Sequence, residues 1–177
     1  VETARMPLYP AFLSAVWSLS GYNPWIIIFL QLVIDALSCV MIGLIVSQFV
    51  SGSFILGGVL STFNMNMIAS SGMILTDSLF LFVFTLCLYA ILIYLNKKEL
   101  KYMILLSIML SLSVLTRSVS YYLIPIFGVA LLWYLISNNV RITKLFVHIT
   151  TFVLIVAVLL GVLVNRNYQQ FGTIEIT

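Results

Sequence analysis

Charged side chains are scarce in this sequence: eight Lys and Arg and five Asp and Glu among 177 residues, 7% of the chain. A water-soluble domain carries about 25%, and a domain of this size must turn much of its surface to solvent. A soluble fold is therefore excluded. The net charge of +3 and the isoelectric point near 9.0 do not indicate a nucleic-acid binder, because the few basic residues lie between apolar runs, as topology determinants do. Only two cysteines are present, Cys39 and Cys87, both inside apolar runs; a disulfide framework or a metal site needs more of them at tighter spacing. His148 is the single histidine. No Ser-His-Asp spacing, metal-ligand cluster or glycine-rich phosphate loop appears. No charged n-region, short apolar stretch and cleavage site appear in order, so no secretory signal is expected within these residues, and the start at Val1 leads to the expectation that residues precede it. No fixed-period repeat and no low-complexity tract is visible.

What is abundant is apolar surface: 63% of residues are hydrophobic and the mean hydropathy is +1.20. Lipid is the solvent that accepts such a chain. The expected fold is all-α, a polytopic transmembrane helical bundle of about six spans plus an N-terminal juxtamembrane helix. Residues 7–20 form that first helix: at 1.5 Å per residue it reaches about 21 Å, short of the roughly 30 Å hydrocarbon core. Pro7 and Pro10 suit a helix start, and Tyr9 and Trp17 read as interfacial aromatics of a surface helix. Gly21, Asn23 and Pro24 break the chain. The membrane spans fill residues 25–164. They read as 25–50, an unusually polar 54–70 with Ser61, Thr62, Asn64 and Asn66, then 78–95, a short 102–116, 119–136 with Pro125 near its start, and 145–164. Residues 165–177 read as the start of an outer segment, with strand-like alternation from Gly172. Alternating spans put Lys97, Lys98, Lys101, Arg141 and Lys144 on one side and Arg5, Arg117 and Arg166 on the other. The richer side is expected to be cytoplasmic.

An ionisable group at membrane depth costs about 2.5–3.5 kcal/mol on insertion scales and needs a reason. Asp77 follows Thr76, which is suited to cap the next helix and so to place Asp77 in its first turn. There a carboxylate either binds a metal or accepts a proton from a hydroxyl, or it simply complements the helix dipole. Arg117 interrupts an apolar run after a segment of only about 22 Å, which sets it at or below headgroup level. Its guanidinium suits a phosphate, or it snorkels to ordinary lipid headgroups. Asp35, inside the first span, reads as structural glue bonded to Asn64 or Asn66, and His148 as a packing residue. Glu2 and Arg5 precede the surface helix on the outer side.

The order of these features resembles a family. Arg5-Met6-Pro7-Leu8-Tyr9-Pro10-Ala11-Phe12-Leu13 is similar to the juxtamembrane segment of the GT-C glycosyltransferases, in the branch of the protein O-mannosyltransferases and lipid A aminoarabinose transferases. Leu75-Thr76-Asp77-Ser78-Leu79-Phe80 resembles the second outer loop of that branch. Ser111 to Arg117 resembles its turn of leucine, threonine and a basic residue, and Asn165-Arg166-Asn167-Tyr168 with Phe171-Gly172 resembles the exit toward the next outer segment. The resemblance implies transfer of a hexosyl or pentosyl group from a polyprenyl-phosphate donor to a lipid, glycan or protein acceptor on the outer face of a membrane, by default a bacterial plasma membrane. It implies that Asp77 is a secondary acidic position orienting the acceptor or a metal, and that Arg117 steadies the donor phosphate. Glu2, Arg5 and Tyr9 would line the site. The family's principal acid follows a first span that has no counterpart here, so the fragment alone is expected to be inactive. A divalent metal is left open. Two other readings compete: a secondary transporter fragment with Asp35, Asn64 and Asn66 along a substrate path, and a non-catalytic membrane scaffold.

Overall fold

The computed structural model describes residues 6–172 apart from residues 66, 67 and 69–71. Glu2, Arg5 and Asn66 therefore lie outside the described residues. In order, the helices are α1 (Leu8–Ser20), α2 (Pro24–Ser47), α3 (Phe54–Thr62), α4 (Asp77–Lys97), α5 (Leu100–Thr116), a 3-10 turn (Ser118–Tyr122), α6 (Leu123–Ser137) and α7 (Ile142–Phe171). No strand occurs among the described residues. Among the described residues, four helical stretches are long and apolar enough to cross a membrane: α2, α4, the 3-10 turn continued by α6, and α7. Large apolar side chains such as Phe29, Ile55 and Trp133 stand exposed on the outside of the bundle, as lipid-facing residues should. The fold is a polytopic helical membrane bundle.

Local chemistry explains the boundaries. Asn23 accepts a hydrogen bond from the Trp25 backbone N–H at 3.0 Å, and Pro24 occupies the first helical position, where its missing donor costs nothing. The expected second span, 54–70, is interrupted: α3 ends at Thr62 after nine residues, and residues 66, 67, 69 and 70 lie outside the described residues. The Ser61 and Thr62 hydroxyls bond back to the carbonyls of Gly58 and Val59, and the Phe63 N–H turns to Leu60 O. α3 folds tightly against α2, because a Cβ on Gly43 would meet Phe54 O at 2.7 Å.

The helix of the last span runs on past residue 164. Residues 165–171 continue α7 to a length of 30 residues, closed by Gly172 in the left-handed conformation. The strand-like residues 173–177 lie outside the described residues.

α5 is the centre of the bundle and packs on α1, α4 and α7. Its 17 residues sit at the lower limit for a span, but neighbouring helices rather than lipid cover most of it. Met103, Leu106, Leu110 and Val114 are fully buried against Cys87, Ala90 and Tyr94 of α4, Leu131 and Leu135 of α6, and Phe152, Val156 and Leu160 of α7. Ser107, Ser111, Ser113 and Thr116 are buried too. Each of their hydroxyls donates to a carbonyl of α5 itself, so small side chains bring the helices close with no polar group stranded.

Candidate active site

The hairpin of α4 and α5 brings Asp77, the first residue of α4, to Arg117, the residue that ends α5. Arg117 leaves the helix with φ −142° and ψ 126°, and its Nη1 donates to Asp77 Oδ1 at 2.8 Å. The guanidinium lies 5.7 Å from the centroid of the Phe80 ring, one turn into α4, a distance at which cation and ring attract. Both partners are roughly half exposed, 48% for Arg117 and 41% for Asp77. A pair so accessible contributes about 0–1 kcal/mol to stability, so fold stability alone gives little reason for it. Thr76 occupies the capping position, but its backbone is already helical (φ −69°, ψ −15°) and its hydroxyl makes no capping bond. The expected cap is therefore not made, although Asp77 does sit in the first turn.

A cleft of about 540 Å³ opens beside the pair, walled by Tyr9, Pro10 and Leu13 of α1, by Leu75 and Thr76 before α4, and by Arg117. Tyr9 is buried while lining the cleft. Beneath it lies Gln31 of α2, fully buried, whose Nε2 donates to Leu75 O at 2.6 Å. Burial raises the Tyr9 phenol above its ordinary value, and the nearby Gln31 side chain offsets part of the rise. Tyr9 Oη and Gln31 Oε1 make no well-formed hydrogen bond elsewhere in the protein, and the two side chains interact with one another.

A second tie lies below the first. Ser78 Oγ donates to Asp35 Oδ2 at 3.0 Å. Asp35 is thus structural glue, but its partner in this bond is Ser78 rather than the expected Asn64 or Asn66. His148 packs through a 2.7 Å hydrogen bond between its Nδ1 and Tyr94 Oη, far along α7 from Arg166. Among the described residues no three His, Cys, Asp or Glu side chains gather to hold a metal.

Gln31 escaped the reading of the sequence. The available signal was the spacing of Gln31, Asp35 and Ser38, which falls on one face of an otherwise apolar helix. All three are buried.

Fold and site together define an integral membrane protein with a charged, partly buried cleft at one end of its bundle. Over residues 4–164 the sequence matches the family model described as dolichyl-phosphate-mannose-protein mannosyltransferase, and the chain belongs to that family. This places it among membrane glycosyltransferases that use a polyprenyl-phosphate-linked sugar donor. No curated protein and no solved structure matches it.

Proposed function

We propose that the cleft beside Asp77 and Arg117 receives the phosphate and sugar of a polyprenyl-phosphate-linked hexose, and that the sugar passes to an acceptor on the outer face of the membrane. The observation that carries this reading is the ion pair at the mouth of a cleft lined by Tyr9, Thr76 and Arg117. A guanidinium has five N–H donors. Asp77 takes a bond from one nitrogen and fixes the plane of the group, leaving other donors for an anionic oxygen. In this reading Asp77 is a positioning residue, the principal acid lies elsewhere, and the chain by itself is inactive. The basic residues at the opposite end of the bundle support an outward-facing cleft, and a bacterial plasma membrane is the proposed setting.

The test is sugar transfer from a polyprenyl-phosphate hexose by the full-length protein. Arg117→Ala is expected to raise the donor KM about 10- to 100-fold, the worth of a charge-assisted hydrogen bond, while the melting temperature barely moves. Asp77→Asn, which still accepts a hydrogen bond, is expected to cost less. An unchanged donor KM in Arg117→Ala would remove the cleft from the donor site.

A further inference from the structure

The opposite end of the bundle carries a second constellation. Lys98, at the end of α4, and Arg141, Lys144 and His148, at the start of α7, line a cavity of about 470 Å³ closed by Leu135 and Val140. No carboxylate lines this cavity. Glu99, the nearest in sequence, is committed to Lys101 at 2.7 Å, and that hydrogen bond holds its carboxyl below the ordinary range. Lys98 finds only a neutral partner, donating to Asn138 Oδ1 at 3.0 Å. Its backbone is left-handed, with φ 53°, a conformation that favours glycine at a helix C-terminus. A lysine kept there at a cost in backbone strain complements the α4 dipole, but that role needs no cavity shared with two further cations.

A second, apolar hollow adjoins this one. Ile91 and Leu95 of α4 and Ile126, Val129, Ala130 and Trp133 of α6 bound a groove of about 760 Å³. Tyr134 joins the two spaces. It lines the groove, its hydroxyl donates to Leu95 O at 2.6 Å, and its ring lies 5.4 Å from Lys98 Nζ. An apolar trough thus runs up to a cationic pocket at the end of the helices.

We propose that this groove and pocket form a binding site for an anionic phospholipid, its phosphate between Lys98, Arg141 and Lys144 and one acyl chain along α6. A soluble phosphate shares the headgroup chemistry but has no use for the groove. A zwitterionic lipid fills the groove but gains little from three cations without a carboxylate.

Lipid retention on the purified full-length protein, measured by native mass spectrometry, tests this. Phosphatidylglycerol is expected to be retained at least about fivefold over phosphatidylcholine, and Lys98→Gly and Arg141→Gln are each expected to reduce that preference about fivefold. Lys98→Gly relaxes the strained backbone while removing the charge, so its melting temperature should hold or rise, and a loss of preference in it is not misfolding. Ala130→Phe, on the exposed face of α6, fills the groove and should release phosphatidylglycerol. Equal retention of the two lipids, or a preference untouched by both cation variants, would overturn the proposal. So would displacement of phosphatidylglycerol by millimolar inorganic phosphate together with indifference to Ala130→Phe, which would assign the pocket to a soluble anion.

Discussion

Asp35 illustrates how a buried charge is accommodated at the scale of one residue. It sits in the middle of α2 at 8% exposure, where lipid offers no hydration and an unpaired carboxyl is costly. The Ser78 hydroxyl supplies a bond. Ser78→Ala is expected to lower stability by about 1–3 kcal/mol, the cost of stranding a buried polar group. Replacing both partners, Asp35→Leu with Ser78→Ala, should recover most of that loss. Thermal melts of the purified variants check both, and a double variant no more stable than the single one would show that Asp35 has other duties. Arg117 makes the contrast: its pair with Asp77 is half exposed, so its removal should appear in donor affinity and hardly in a melt.

At the scale of the element, the hairpin of α2 and α3 depends on two missing side chains. A Cβ at Gly43 meets the Phe54 carbonyl, and one at Gly57 would come within 2.9 Å of Val46 Cβ. The Phe54 carbonyl is backbone, and Val46 Cβ is fixed by its own backbone, so neither can swing aside. Gly43→Ala and Gly57→Ala are therefore each expected to destabilise by about 1–3 kcal/mol, as read from paired melting curves. Most helix positions were legible because an apolar run bounded by Pro, Gly or Asn reads the same in sequence and in structure: Asn23-Pro24 opens α2 and Gly21 closes α1. Two boundaries were not. The break after Thr62, where the Phe63 N–H turns to Leu60 O, carries no Pro or Gly, and hydropathy does not register it. The extension of α7 through Asn165, Arg166 and Asn167 reflects a helix of about 45 Å, longer than the hydrocarbon core; polar residues there mark where lipid stops, not where the helix stops. Gly172 was the available stop signal.

For the whole molecule, two ends of unlike chemistry follow from alternating helices: Asp77 and Arg117 meet at one, Lys98 and Asn138 at the other. That division was readable from charge positions alone. The depth of the site was not, because Gln31 and Tyr9 meet only through the fold. Single cysteines test the orientation. Val119→Cys should react with a membrane-impermeant thiol reagent added outside intact cells, and Asn139→Cys only after permeabilisation. Both positions are exposed, whereas the native Cys39 and Cys87 are buried. The opposite pattern would turn the cleft inward. Gln31 grips the chain two residues before Asp77 and Asp35 grips it one residue after, so α2 acts as the foundation on which the arginine's partner is set. A lesion such as Gln31→Leu, invisible from either aqueous phase, should therefore announce itself as slack at the doorway, with a looser hold on the donor headgroup in a protein that still inserts.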